Sequence, residues 1–344
     1  MLKDYLSQAV AGQNLSREDA RKAMQVIMSG QASELQIAAF LTALRMKGET
    51  SMEVAGFAEA MRNYALKVEC SSPKIIDTCG TGGDCRGTFN VSTAVAFVLA
   101  GAGMHVAKHG NRGVSSSCGS ADVLTALGVK LELPARGVAE AIDTIGVGFI
   151  FAPRFHQAMK YAVNPRRELG FRTVFNLLGP LTNPAGAHCQ LIGVYDPALT
   201  ATAAHALAGL GISRAMVVHS QDGLDEISTT APTLVAEVCG GEIKTYTIDP
   251  AMYGFSRCTL ADYQGSTSVE NARIIIRLLQ GEPGFKRDIV LINAAAALVV
   301  ADAARDIREG LELAAASIDS GAALAKLTAL QKFTQSYQEE LLLS

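Results

Sequence analysis

The densest chemical signal in this sequence is a glycine-rich segment, residues 77–84. It follows a short β-branched run and precedes residues 88–93, which open an alanine-rich helical stretch. Backbone N–H groups in such a turn, together with the positive end of a helix dipole, can hold an anion. No Gly-Lys-Ser/Thr follows, and Cys85 stands where GxGxxG requires glycine, so neither a Walker A loop nor a dinucleotide motif is indicated. The alternative to a phosphate-binding turn is an ordinary tight turn.

A second cluster, residues 108–117, combines two cationic side chains with glycines, serines, Asn111 and His109. Arg112 offers a planar fork to phosphate or carboxylate, and Lys108 offers a compact charge. We interpret the cluster as a loop that grips an anionic ligand, the alternative being a solvated loop with incidental charges. For His109, ligand positioning fits better than general-base catalysis.

A third signal is the acidic pair Asp225 and Glu226, which follows a predicted strand over residues 214–219. Carboxylates at the carboxyl end of a strand lie where open α/β sheets bind ligands. They also suit Mg²⁺, which often bridges protein carboxylates to substrate phosphates. An acidic turn is common in any chain, but beside two phosphate-compatible clusters we favour the metal interpretation. The pair Arg166 and Arg167 carries little weight by position alone.

The elements that must position these residues fall into two parts. The first 70 residues predict helices alone, with capping-box spacing at Ser33 and Gln36 and at Thr50 and Glu53. Beyond them, strand-like runs alternate with alanine-rich helical stretches, which predicts a mostly parallel sheet covered by helices. The predicted strands are 74–77, 129–133, 147–151, 190–195, 214–219 and 242–248, and the helices between them are 91–100, 121–127, 201–210 and 269–279. We therefore predict an α/β protein with a small all-helical domain, residues 1–70 joined in space by about 164–185, and a larger α/β domain, residues 71–344.

Composition narrows the function classes. Lys plus Arg number 30 against 33 Asp plus Glu, so the formal net charge of −3 argues against a generally basic nucleic-acid binder. Seven cysteines without a CxxC pair fit a reducing compartment better than a disulfide scaffold. The N-terminus is too polar for a signal peptide, and the longest apolar run, residues 289–301, is short and interrupted by Asn293. We expect a cytoplasmic protein without nucleic-acid or membrane partners.

Several motifs in register resemble anthranilate phosphoribosyltransferases, over about residues 5 to 335. They are Gly80-Thr81-Gly82-Gly83-Asp84, Asn90-Val91-Ser92-Thr93, Lys108-His109-Gly110-Asn111-Arg112, Gly119-Ser120-Ala121-Asp122, Arg166-Arg167-Glu168-Leu169-Gly170, residues 175–184 and Asp225-Glu226. The resemblance implies a helical domain on a larger α/β domain, a homodimer formed through the helical domain, and the third step of tryptophan biosynthesis. In that step the phosphoribosyl group of 5-phosphoribosyl 1-pyrophosphate (PRPP) passes to the amine of anthranilate, with Mg²⁺ as cofactor.

The resemblance also implies roles for individual residues. The residues implied to bind PRPP are Gly80, Gly83, Asp84, Thr88, Asn90, Val91, Ser92, Thr93, Lys108, His109, Gly110, Asn111, Arg112, Gly113, Val114, Ser115, Ser116 and Ser120. Anthranilate would meet Gly80, Asn111 and Arg166, while Ser92, Asp225 and Glu226 would place Mg²⁺. No Ser–His or Cys–His signature indicates a covalent nucleophile, so catalysis would rest on positioning and on neutralising the leaving pyrophosphate.

Two other functions stay open at this point. A pyrimidine nucleoside phosphorylase resembles this architecture, but it would bind phosphate and a nucleoside and would not need a metal at Asp225 and Glu226. A nucleic-acid-binding relative that has lost catalysis is opposed by the balanced charge and by the intact Ser92, Asp225, Glu226 and Arg166 set. Loss of anthranilate fluorescence with PRPP, with and without Mg²⁺, would distinguish the three.

Overall fold

The computed structural model describes residues 1–84, 86–113, 118–256 and 258–343. The chain begins with α1 (Leu2–Val10), α2 (Arg17–Met28), α3 (Glu34–Lys47) and α4 (Ser51–Tyr64). Both predicted capping boxes are confirmed: Ser33 Oγ accepts from the Gln36 N–H, and Thr50 Oγ1 accepts from the Glu53 N–H. These caps satisfy helix N–H groups that have no partner within the helix.

A buried ion pair joins the ends of these helices. The Lys47 ammonium lies 2.8 Å from Glu53 Oε2, and the two side chains are 5% and 0% exposed. The other carboxylate oxygen, Oε1, accepts the Leu15 N–H at 2.9 Å, so the segment between α1 and α2 is tied to the same group. Because each charge is out of water, each depends on the other for compensation.

The described residues form one seven-stranded sheet with the order β3-β2-β1-β4-β5-β6-β7. Its strands are β1 (Ile75–Gly80), β2 (His105–Gly110), β3 (Val147–Phe151), β4 (Cys189–Gly193), β5 (Arg214–Ser220), β6 (Thr233–Cys239) and β7 (Glu242–Ile248). Neighbours from β3 to β5 pair in parallel, whereas β6 and β7 are antiparallel. The mostly parallel sheet is thus confirmed. The strand order reverses between β1 and β4, which is where open α/β sheets form a ligand crevice.

One predicted strand is wrong, and two strands were not predicted. Residues 129–133 form an extended connection instead of a strand, with Val129, Leu131 and Leu133 buried. The alternating apolar side chains, which suggested a strand, are buried by packing without any pairing in the sheet. The Lys130 N–H donates to Thr334 Oγ1 on the C-terminal helix instead of to a neighbouring strand. The unpredicted strands are β2 and β6. The charged Lys108 in β2 is buried, and a lysine in the middle of a short segment does not indicate a buried strand.

Helices cover both faces of the sheet. They are α5 (Val91–Gly101), α6 (Ser120–Ala126), α7 (Ala135–Ile145), α11 (Ala198–Gly209), α12 (Ser268–Leu279), α13 (Phe285–Val300), α14 (Ile307–Asp319) and α15 (Ala322–Leu343). α5 and α13 pack on one face, while α11 packs on the other and also contacts α4. Within the described ranges, no single helix is long and apolar enough to cross a membrane. One pair of consecutive helices, α14 with residues 322–337, is long and apolar enough by length and composition alone, but the pair is bent by 58°.

A short helical segment between β3 and β4 joins the N-terminal helices. It contains α8 (Ala152–Phe155), α9 (Lys160–Leu169) and α10 (Val174–Leu178), and α9 packs on α3. Phe175 and Leu178 share an apolar cluster with Phe40, and this cluster continues onto the sheet through Ile192. The helical part and one face of the sheet therefore share a continuous core.

We predict that Glu53→Gln lowers the free energy of unfolding by about 3–5 kcal/mol, because the buried Lys47 ammonium loses its counter-charge. Urea denaturation followed by circular dichroism measures the change. The matched control is Glu59→Gln, which breaks a half-exposed pair with Arg17 and should cost less than about 1 kcal/mol. Equal losses in the two variants would show that the buried pair has no special weight.

Candidate active site

The ends of three parallel strands meet around Asp225. Gly80 ends β1, Gly193 ends β4, and Asp225 lies just beyond β5. A Cβ atom on Gly80 would lie 2.5 Å from Asp225 Oδ2, and one on Gly193 would overlap the Asp225 carbonyl oxygen. Glycine at both strand ends thus allows the acidic segment to approach the glycine-rich turn.

The glycine-rich turn is held at several points. The Gly82 N–H donates to Asp225 Oδ2 at 3.0 Å, and the Thr81 N–H donates to the Gly193 carbonyl at 2.9 Å. Gly82 and Gly83 have φ values of +63° and +78°, which residues with a side chain rarely adopt. The turn therefore has a defined backbone conformation, and it lies against the Asp225 carboxylate.

A second contact to this turn comes from the helical segment. The Arg172 guanidinium donates to the Gly83 carbonyl and lies 4.0 Å from the centre of the Tyr195 ring. The Tyr195 N–H in turn donates to Thr81 Oγ1 at 3.0 Å. Sequence reasoning missed Arg172, because a single arginine after a helix carries no pattern. It connects the segment that carries Arg166 with the turn.

Burial and neighbouring carboxylates raise the pKa of two acidic side chains in the site, Asp225 and Glu226. Burial, followed by the charge of Asp84, raises the pKa of Asp225 to about 7. Burial and the charge of Asp225 likewise raise the pKa of Glu226 well above its usual range, and Lys108 opposes the shift. Such a concentration of carboxylates favours the arrival of a cation.

Lys108, His109 and Gly110 lie in β2, so the prediction that they belong to a loop is wrong for these three residues. The buried Lys108 ammonium donates to the Thr78 carbonyl at 2.7 Å and to Ser92 Oγ at 3.1 Å. Burial lowers the pKa of Lys108, whereas Asp77 and Glu226 raise it. The lysine lies beneath the site and links β1 to the start of α5.

Two buried histidines lie side by side near this point. The rings of His109 and His156 have centres 5.0 Å apart. Burial lowers the pKa of His109 to about 3 and that of His156 to about 4, so both rings are neutral near pH 7. Sequence reasoning missed His156, which lies 47 positions from its partner and gives no local signal.

The loop after β2 is organised by Asp122. Its carboxylate accepts the N–H groups of Gly113 and Gly119 at 2.9 and 3.0 Å and pairs with Arg112 at 3.0 Å. Ser120 Oγ donates to the Asn111 carbonyl at 3.4 Å. The same hydroxyl lies so close to Gly110 that a Cβ atom on Gly110 would overlap it. The predicted ligand residues Val114, Ser115 and Ser116 lie outside the described residues.

The start of α5 is held by a pair of asparagines. Asn90 directly precedes the helix, and its side chain, instead of capping the helix, donates through Nδ2 to the Cys118 carbonyl at 3.1 Å. Its Oδ1 accepts from Nδ2 of the buried Asn271 at 3.0 Å, so these amide contacts tie α12 to α5. Val91 and Thr93 are buried, and Thr88 forms a β-bridge with Gln264. Ser92 therefore lies on a firmly held helix start.

Arg166 lies on α9, away from any acidic partner among the described residues. Its guanidinium carbon is 5.3 Å from the centre of the Phe175 ring, and burial lowers its pKa. A partly buried guanidinium without a carboxylate can receive a planar anion through two parallel hydrogen bonds.

Comparisons with known proteins cover nearly the whole chain. The helical bundle domain of the glycosyl transferase family matches residues 3–65, and the a/b domain of that family matches residues 72–324. The anthranilate phosphoribosyltransferase of Moorella thermoacetica is 57% identical over 98% of this chain and 99% of its own length. That of Pelotomaculum thermopropionicum is 53% identical over 97% of each chain.

Solved structures agree with these matches. The crystal structure of anthranilate phosphoribosyltransferase from Thermus thermophilus has a TM-score of 0.92 and 42% identity, and the match covers 96% of this chain and 99% of that one. The enzyme from Saccharomyces cerevisiae in complex with PRPP and Mg has a TM-score of 0.89 and 30% identity, with 97% and 98% covered.

The buried histidines predict that stability falls in mild acid. The unfolded chain binds protons at these rings below about pH 6.5, whereas the folded chain does so only near pH 4 or 3, so the free energy of unfolding decreases across that window. His156→Asn should reduce the loss between pH 7.5 and 5 by on the order of 1–2 kcal/mol. Urea denaturation at both pH values measures it, and an unchanged loss in the variant would contradict the assignment.

Proposed function

The chain belongs to the anthranilate phosphoribosyltransferase family, and we propose that the cluster around Asp225 is where it carries out the reaction of that family. In this reaction the phosphoribosyl group of PRPP passes to the amine of anthranilate, pyrophosphate leaves, and the product enters tryptophan biosynthesis. The observation that supports this location best is the contact of Asp225 with the glycine-rich turn across Gly80, Gly82 and Gly193. It brings the glycine-rich turn, the proposed phosphate site, beside carboxylates that attract a cation.

We propose that PRPP lies between the glycine-rich turn, the start of α5 and the loop after β2. The turn and the helix start supply N–H groups, and Arg112 supplies a charge that Asp122 holds in place. The remaining predicted residues of this set stay proposed ligands: Gly80, Gly83, Asp84, Thr88, Asn90–Thr93, His109–Ser116 and Ser120. Lys108 would act from below, through Ser92 and through its charge near Glu226.

Mg²⁺ is the proposed cofactor, held by Asp225, Glu226 and Ser92. The donor set fits, since carboxylate and hydroxyl oxygens suit this ion. Burial and a neighbouring carboxylate raise the pKa of both acids, so a cation bound there would compensate their charges. Within the described ranges, no three His, Cys, Asp or Glu side chains are arranged to hold a metal by themselves. Substrate oxygens and water would therefore complete the site, as Mg²⁺ commonly requires. When bound, the ion would neutralise charge on the leaving pyrophosphate.

The acceptor would be held by Arg166, Asn111 and Gly80. Arg166 would receive the anthranilate carboxylate, which orients the amine toward the ribose carbon from the side opposite the pyrophosphate. The aromatic amine is uncharged near pH 7, so the attack needs no strong base, and the neutral His109 and His156 fit that condition. The chain's contribution is then positioning and charge compensation.

We further propose a homodimer formed through the helical domain, residues 1–70 with about 164–185. Large apolar side chains are exposed there, including Leu35 and Met46 on α3 and Val163 on α9. Exposed apolar surface often marks a protein interface. Residues 71–344 would form the second domain, and the cytoplasm is the proposed location.

Asp225→Asn should lower turnover with PRPP and Mg²⁺ by tenfold or more, about 1.4 kcal/mol or above in activation free energy. Anthranilate fluorescence measures the rate, and excess EDTA should abolish it in the unmodified protein. Glu242→Gln, on the exposed edge strand β7, is the matched control and should be fully active. Full activity in EDTA would disprove the metal, whereas phosphorolysis of a pyrimidine nucleoside without anthranilate consumption would disprove the reaction.

Arg166→Ala should raise the KM for anthranilate by about tenfold or more while the KM for PRPP changes little, because one carboxylate contact is lost. Arg166→Lys should not restore it, since an ammonium cannot form the planar double contact. The control is Arg167→Ala: Arg167 is exposed and donates to Asn164 Oδ1 at 3.2 Å. Equal increases for both substrates would make Arg166 a structural residue.

A further inference from the structure

Asn293 is a fully buried amide in the middle of α13, where it interrupts an otherwise apolar stretch. A buried polar side chain costs free energy unless its hydrogen bonds are satisfied. An alanine or leucine would fit the surrounding pattern of α13 better. The amide therefore calls for an explanation in its contacts.

Those contacts are concentrated on one residue outside the helix. Asn293 Oδ1 accepts the Ile227 N–H at 2.9 Å, and Nδ2 donates to the Ile227 carbonyl at 2.8 Å. Nδ2 also donates to the Ile289 carbonyl, one turn back along α13, at 2.8 Å. The side chain is thus anchored to its own helix while it holds both backbone polar groups of Ile227.

Ile227 directly follows the acidic pair. β5 ends at Ser220, so residues 221–227 run beyond the strand ladder and need other partners for their backbone. On one side, Asp225 lies directly against Gly80 and Gly193. On the other side, Asn293 binds the backbone of Ile227, two residues after Asp225. The acidic pair is held between these two contacts.

We propose that Asn293 is a positioning residue that holds the backbone after Glu226, so that Asp225 and Glu226 face the glycine-rich turn at the geometry a divalent cation requires. This inference rests on the proposed metal role of the acidic pair. A buried asparagine that only stabilised the core would lower stability when replaced and would leave metal affinity unchanged. The two roles therefore differ in a measurable way.

The test is titration of the full-length protein with Mn²⁺ in the presence of PRPP, followed by electron paramagnetic resonance. Asn293→Ala should raise the Kd for Mn²⁺ by about tenfold or more, with less than about a twofold change in the KM for anthranilate. Asn293→Leu keeps about the same size and suits the apolar surroundings, but it has neither the acceptor for the Ile227 N–H nor the donor for the Ile227 carbonyl. It provides the same measurement if the alanine variant folds poorly.

Ser317→Ala is the matched control. Ser317 is buried on α14 and donates to the Val98 carbonyl at 2.7 Å, so the variant removes a buried hydrogen bond from another helix of the same core. It should leave the Kd for Mn²⁺ unchanged. Asn293 variants that lose stability but bind Mn²⁺ as the unmodified protein does, or that weaken both substrates and the ion equally, would overturn the inference. Failure of the unmodified protein to bind Mn²⁺ with PRPP would instead overturn the proposed metal site.

Discussion

The approach of Asp225 to the ends of β1 and β4 is the constraint on which the site depends. Any side chain at Gly80 or Gly193 would occupy the space of the Asp225 carboxylate or its carbonyl. The approach is available because the strand order reverses between β1 and β4, which leaves a crevice at their carboxyl ends. The glycine-rich turn after β1 and the acidic segment after β5 enter that crevice from its two sides.

Beneath the crevice, buried polar groups compensate one another. Asp77 is fully buried in β1, and its carboxylate accepts from Asn183 Nδ2 at 2.8 Å and from the His109 N–H at 3.2 Å. Burial raises the pKa of Asp77, while Lys108 and the hydrogen bond from Asn183 lower it. Because a buried charge without partners is costly, these contacts restrict how β1, β2 and the segment before β4 can shift relative to one another.

The helical part of the chain contacts both the core of the sheet and the glycine-rich turn. Its apolar cluster continues onto the sheet, and Arg172 reaches from it to the carbonyl of Gly83. Arg166 lies on the same segment, six residues earlier. The proposed acceptor residue and the proposed phosphate turn are therefore connected through one short stretch of chain and one guanidinium.

The amino-acid sequence by itself determined the fold class, the capping boxes of α3 and α4, most strands of the sheet and the order of the motifs. These properties depend on local periodicity, on turn residues and on residue types that a linear pattern shows. The tertiary structure decided what depends on contacts between distant positions. It placed Lys108 in a strand, left residues 129–133 outside the sheet, and brought His156, Arg172, Asn271 and Asn293 to the site or its support. The hydrogen-bond partner of a lone polar residue such as Asn293 cannot be read from the linear sequence, because tertiary packing determines which distant backbone group lies next to it.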